Sequence, residues 1–209
     1  MQKDNIFDQK AKTWDDNPER IKLVDKVWET ISANIDFNKI HHAIDYGSGT
    51  GLLGFKAINY VESMTFCDTS DGMLDQVNNK IQYYGHLNAE TLKADFSNGP
   101  LPSKKFELIM TMLVMHHVHE LGTILANFNK LLKPGGYISI IDLENEDGSF
   151  HSDNTGVAYF GFHKQEIINL IEKNGFKIDY YSNHLYMNKE RPEGNKQFPL
   201  FVLIARKEG

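Results

Sequence analysis

Apolar residues recur along this chain in two rhythms. From about 19 to 35 they fall at spacings of three and four, at Ile21, Val24, Val27, Trp28 and Ile31, which aligns them on one face of a helix. Pro18, which follows the polar Asp16–Asn17, suits the approach to that helix. Further on, short apolar runs appear at 42–46 (HAIDY), 63–67 (SMTFC), 90–94 (ETLKA), 106–113 (FELIMTML) and 137–143 (YISIIDL). Each has strand length and is bounded by Gly, Pro, Asn or Asp. Helix-like stretches at about 51–59, 71–84 and 119–132 separate them. Strand–helix alternation of this kind predicts a parallel sheet with helices on both faces.

The last third departs from that rhythm. A helix-like stretch at 163–174 stops at Asn174–Gly175, and two strands follow at about 176–183 and 198–206 with a polar excursion between them. They are expected as an antiparallel pair on one sheet edge. Residues 144–162 (ENEDGSFHSDNTGVAYFGF) have no clear period and are long for a loop, which makes them a lid or binding-loop candidate. The N-terminal segment 1–36 is a second lid candidate, in which Trp14 either closes a pocket or staples the segment to the sheet. No repeat, low-complexity tract or Gly/Ser linker divides the chain, so residues 1–209 are read as one domain.

Composition narrows the function. A formal net charge of −6 argues against a dedicated nucleic-acid binder, whose phosphate contacts need clustered Lys and Arg. The single cysteine, Cys67, excludes an internal disulfide framework and fits a reducing cytoplasm. No apolar run approaches the roughly 18 residues of a spanning helix, and the opening MQKDNIFDQK lacks the apolar core of a signal peptide. A cytoplasmic protein is expected.

The richest motif follows the first strand, in AIDYGSGTGLLGF at 43–55. Glycines at 47, 49 and 51 let the backbone turn sharply and approach a ligand, and helix amides beginning near Gly51 would donate to it. The shifted reading Gly49–Thr–Gly51–Leu–Leu–Gly54 matches the G-x-G-x-x-G dinucleotide fingerprint, with its first Gly two residues beyond the turn. Both readings want an acid about 20 residues on to hold ribose hydroxyls, and Asp68 stands there. A carboxylate accepting two hydroxyls suits any adenosine cofactor.

Five blocks in order, IDYGSGTG, CDTSDGML, KADF, FELIMTMLVMHHV and LLKPGGYISIIDL, together resemble the class I S-adenosylmethionine-dependent methyltransferases over about 43–143. The opening FDQKAKTWDDNPER is also similar to the start of many small bacterial members. The resemblance implies an α/β fold, a Rossmann-like seven-stranded sheet that is mostly parallel with an antiparallel C-terminal strand pair. It implies S-adenosyl-L-methionine as cofactor, with Asp45 and the backbone of Gly47, Gly49 and Gly51 around its methionine moiety. Asp68, with Thr69 beside it, would hold the ribose. Met73 would pack on the adenine, and Asp95 with Phe96 would meet its amino group. A dehydrogenase is disfavoured: none of the nine tyrosines has a lysine four positions later, and no length is left for a substrate domain.

Within that family, MTMLVMHHV lacks the Asp/Asn-Pro-Pro-aromatic signature of enzymes that methylate exocyclic base nitrogens. Cys67 also lies away from the position of a cytosine C5 nucleophile. These absences and the acidic charge favour a small-molecule acceptor; an rRNA or protein acceptor, or a non-catalytic cofactor-binding protein, are the alternatives. LVMHHVHEL at 113–121 gathers three histidines and a glutamate at the end of the fourth strand. Three readings compete: a metal site, a general base at His116 or His117, and a pocket wall. No H-E-x-x-H pattern and no further ligand is visible, so no metal is expected, and the wall is the leading reading by resemblance. His151, in the lid candidate, is the best single choice for a polar group on the acceptor side. Oligomeric state is open.

Overall fold

The computed structural model describes residues 6–191 and 194–209. Strands β1 (His42–Tyr46), β2 (Ser63–Asp68), β3 (Ala89–Lys93), β4 (Phe106–Met112) and β5 (Leu132–Leu143) run parallel. Strands β6 (Phe176–Arg191) and β7 (Gly194–Lys207) complete a seven-stranded sheet in the order β3-β2-β1-β4-β5-β7-β6. β7 is antiparallel to both neighbours. The fold class is the one the sequence implies.

Alternation along the strands explains the layering. In β7, Leu200, Val202 and Ile204 enter one buried cluster, while Phe201, Leu203 and Ala205 enter the other. β4 splits in the same way, with Leu108 and Met110 on one side and Ile109 on the other. A sheet buried on both faces needs such apolar runs. Helix α2 (Pro18–Asn34) covers the first face with Leu23, Val24, Val27 and Ile31. Val27 and Ile31 are fully buried, each worth about 2 kcal/mol of transfer free energy. The Asn17 side chain starts this helix by accepting from Glu19 N at 3.0 Å, with Pro18 at the first helical position. Helices α5 (Leu121–Leu131) and α6 (Lys164–Lys173) cover the second face. Helix α4 (Asp71–Tyr84) follows β2, capped by Ser70 Oγ accepting from Met73 N and ended by Gly85 in the left-handed region.

Three local expectations are corrected. The helix expected from 51 begins only at Gly54, as the short α3 (Gly54–Ala57) followed by a 3-10 turn at Ile58–Tyr60. Gly51 is held at φ 83°, which a right-handed helix cannot include. The polar excursion expected between 183 and 198 is largely strand, with β6 and β7 paired out to Arg191↔Gly194. Polar residues on both faces concealed that hairpin arm. Residues 132–136, between the helix-like stretch expected to 132 and the strand expected from 137, lie within β5, which breaks register with β4 between Phe106 and Leu108. Among the described residues, no helix is long and apolar enough to cross a membrane.

Cys67 is fully buried in β2, and burial, with Asp68 adding to it, pushes its thiol well above the usual range. A thiol that stays protonated is a poor nucleophile. Iodoacetamide at pH 8 is therefore expected to label the folded chain at least about 100-fold more slowly than the urea-unfolded chain, read by intact mass. Comparable rates would contradict this packing.

Candidate functional site

The carboxyl ends of β1, β2 and β4 meet at one edge, where open α/β sheets hold ligands. After β1 the backbone takes left-handed conformations at Gly47 (φ 68°), Gly49 (φ 53°) and Gly51 (φ 83°). Gly47 is required sterically as well, because a Cβ there would run into the Val114 side chain. Gly47 N and Ser48 N donate to the Cys67 carbonyl at 2.7 and 2.9 Å, which fastens this loop to the end of β2.

Asp68 closes the loop from the other side. Its Oδ2 accepts from Gly49 N at 2.8 Å and its Oδ1 from Ser70 N at 2.9 Å. Each oxygen retains a lone pair for a hydroxyl donor. Burial pushes this carboxyl above the usual range, while the amides of Ser70, Gly49 and Thr69 pull it back. Thr69 itself is exposed, and its backbone amide is its contribution here.

Asp45 lies deeper, at 2 % exposure, and accepts from Gly54 N at 2.9 Å. Burial raises its pKa to about 7, and the Asp68 carboxylate adds to that rise. Met73 is buried on α4, and its sulfur lies 3.9 Å from where a Gly49 Cβ would stand.

Asp95 follows β3 and is gripped by Ser97 N at 2.8 Å, the Ser97 hydroxyl and Asn98 Nδ2 at 3.1 Å. Partial burial pushes its carboxyl up, but these donors outweigh that and hold it below the usual range. Phe96 is placed differently from its neighbour. Its ring is fully buried, stacked on Tyr46 at 5.0 Å, and its N–H donates to the Tyr46 hydroxyl at 3.2 Å. The side chain is a core residue.

The N-terminal segment lies across this edge. Asp8 accepts from Ser70 Oγ at 2.5 Å and Gly72 N at 2.9 Å. Asp15 accepts from Thr50 Oγ1 and from Lys80 Nζ, each at 2.6 Å. Between them, Trp14 Nε1 reaches to 3.7 Å from the place of a Gly49 Cβ, and Arg20 stacks on the Trp14 ring at 4.0 Å. Trp14 thus lies over the glycine loop.

The histidines occupy the next part of the edge. After β4 the chain passes through Leu113 at φ 58°, the one described non-glycine residue with positive φ. Such backbone is strained and gathers at functional sites. A 3-10 turn at Met115–His117 follows. His116, at 1 % exposure, donates through Nδ1–H to Asp142 Oδ1 at 2.7 Å. Asp142 is fully buried at the end of β5 and also accepts from His116 N at 3.2 Å and Leu143 N at 2.7 Å. His117 donates through Nδ1–H to the Gly156 carbonyl at 2.9 Å. Those acceptors leave the Nε2 atom of each ring with its lone pair.

His151 joins them from the loop after β5, its Nε2 at 3.0 Å from His116 Nε2. The hairpin arm holds it there: Lys189 Nζ donates to the Phe150 carbonyl at 2.7 Å, and Arg191 donates to the carbonyls of Ser149 and Phe150. Burial, reinforced by His116, His117, Lys189 and Lys10, lowers the His151 pKa to about 3. Burial also holds His117 below its usual value, so both rings are neutral at pH 7. His119 and Glu120 are exposed ahead of α5.

Sequence reasoning missed Asp142 and the Lys189–Arg191 clamp. A lone acid closing the apolar run YISIID was the available signal for Asp142. A clamp formed 40 residues away had none.

Residues 43–136 match the family model described as a methyltransferase domain. An uncharacterized methyltransferase of Schizosaccharomyces pombe is 29 % identical over 144 residues, covering 62 % of this chain and 51 % of that one. A reducing polyketide synthase of Preussia isomera is 31 % identical over 107 residues, 49 % of this chain and 5 % of the synthase. This chain thus spans about half the length of the first relative and a small part of the second. Among solved structures, an S-adenosylmethionine-dependent methyltransferase of Aquifex aeolicus superposes with a TM-score of 0.67 at 20 % identity, covering 96 % of this chain and 98 % of that one.

Proposed function

We propose that this chain is a class I S-adenosylmethionine-dependent methyltransferase that binds S-adenosyl-L-methionine along the β1–β3 edge and transfers its methyl group to a small-molecule acceptor beside the histidines. The observation that carries this reading is the common placement of the glycine loop, Asp45, Asp68, Met73 and Asp95 along that edge. The groups fit the cofactor chemically: Asp68 keeps lone pairs for ribose hydroxyls, and Gly49 leaves room that a Cβ would fill.

Methyl transfer from a sulfonium is an in-line displacement with a neutral leaving group. Alignment and exclusion of water can therefore supply much of the acceleration. On this reading, residues 6–16 and the loop 144–162 act as lids, and Trp14 must lift from Gly49 for the cofactor to enter. Asp142 holds His116 in one tautomer and orientation, so that the wall beside the acceptor keeps a fixed shape. The net charge of −6 and the likeness to a polyketide synthase, an enzyme of small-molecule synthesis, support a small acceptor. A cytoplasmic location belongs to the same proposal.

Isothermal titration tests it: S-adenosylmethionine and S-adenosylhomocysteine are each expected to bind with a Kd of about 100 µM or tighter. No binding of either in the millimolar range would sink the reading. Transfer of radiolabelled methyl from the cofactor into the small-molecule fraction of a cell extract identifies the acceptor; label confined to RNA or protein would refute that part.

A further inference from the structure

We propose that His116, His117 and His151 bind a divalent transition-metal ion of the zinc type. Among the described residues, one ring nitrogen from each of these three side chains lies within 4.8 Å of the others. The His116 and His151 Nε2 atoms are 3.0 Å apart. Two imidazole nitrogens sharing one zinc ion at about 2.0–2.1 Å stand roughly 2.9–3.4 Å apart at angles between square and tetrahedral. The pair is thus already spaced for a common ion.

The surroundings match what metal-bound histidines require. A ligating imidazole usually donates its other N–H to a carboxylate or a backbone carbonyl, which fixes the tautomer and aims the lone pair. Here His116 donates to Asp142, and His117 donates to the Gly156 carbonyl. Asp142 is itself held by two backbone amides, so His116 has little freedom to turn. Two ligands come from the strained turn after β4 and the third from a loop clamped by Lys189 and Arg191, so the set is rigid from both sides. Neutral imidazoles suit zinc, cobalt, nickel and copper, and carry no preference for magnesium or calcium.

The charges nearby indicate what would complete the site. Lys10 and Lys189 act on His151, and Arg20 and Arg191 act on Lys189. Cations there weaken binding of a bare ion and favour an anionic fourth ligand. A deprotonated acceptor heteroatom, or a carboxylate next to it, meets that need. This second step rests on the methyltransferase reading; binding of the ion itself does not.

The test uses the full chain stripped with chelator and titrated with zinc and cobalt. One equivalent is expected to bind with a Kd of about 1 µM or tighter, and cobalt is expected to give visible d–d absorption. His151→Ala, at a partly exposed position, is expected to weaken binding at least about 100-fold, and Asp142→Asn about 10–100-fold. His163→Ala, away from the cluster, serves as a control expected to change nothing. Absence of stoichiometric binding below about 100 µM, or affinity unchanged by both His151→Ala and His117→Ala, overturns the site. Titration of the same metal-free protein with S-adenosylmethionine separates the two proposals. Cofactor binding without metal binding removes only the ion, and metal binding without cofactor binding removes only the enzyme.

Discussion

Asp68→Ala is expected to weaken binding of S-adenosylmethionine and S-adenosylhomocysteine by at least about 100-fold, read by isothermal titration. The carboxylate does two things that alanine cannot. On the proposed function it offers lone pairs to two ribose hydroxyls, and hydrogen bonds to a charged group contribute about 1.5–3 kcal/mol each. It also holds the loop, accepting from Gly49 and Ser70 on separate oxygens. Loss of both contributions exceeds the 2.8 kcal/mol or so that corresponds to 100-fold. Burial already disfavours the ionised carboxylate, which limits the cost to the fold, while the freed amide of the buried Ser70 adds about 1–3 kcal/mol. A variant that melts normally and binds both ligands as tightly as the parent would remove Asp68 from the ribose site.

Asp45→Asn is expected to raise thermal stability in a pH-dependent way while weakening the cofactor. Asp45 is buried, and its pKa rises from 3.8 to about 7. The folded chain therefore keeps a proton that the unfolded chain releases between about pH 4 and 7. Where the native state binds more protons, stability falls as pH rises. That loss is absent well below pH 4, grows up to pH 7 and is constant above it. A rise of this size corresponds to at most about 4 kcal/mol. Asparagine still accepts from Gly54 N but carries no charge to bury. At pH 8 the variant should melt several degrees above the parent, at about 2–4 °C per kcal/mol for a chain of this length, and the gap should close toward pH 4. A melting difference independent of pH would show that Asp45 is not the group responsible. On the proposed function cofactor affinity should fall in parallel, because Asp45 is the anionic group assigned to the methionine moiety.

Much of this architecture is written in local patterns. Apolar runs set off by Gly, Pro, Asn or Asp give β1, β2 and β4, and the Ser70 and Gly85 caps delimit α4 at 71–84 as the periodicity implied. What escaped detection depends on contacts between distant segments. The delayed start of α3 follows from the left-handed φ of Gly51, where a Cβ would meet the rings of Phe55 and Phe66. The length of the hairpin arm is set by ladder pairs such as Asn188↔Gln197 and Lys189↔Lys196, which leave no apolar alternation to read. The histidine cluster was legible only by halves. His116 and His117 stood out as neighbours, but nothing in the chain announced that His151 would meet them through a loop fastened by Lys189 and Arg191. Phe96 shows the opposite limit: a family-like position whose ring the core claims through Tyr46.

The position of β7 in the sheet carries a consequence for biosynthesis. Residues 194–207 form the strand between β5 and β6, so the strand of this sheet that is made last is an interior one. Until it inserts, β5 exposes an unpaired edge, and β6 has no partner to bring Lys189 and Arg191 toward Phe150. Long-range pairings of this kind form late and slowly. A nascent chain can thus assemble the glycine loop and Asp68 while its histidine triad is still open. On the proposed function, the edge assigned to the nucleoside forms before the edge assigned to the acceptor, and a chain stopped before residue 194 would keep the first without the second.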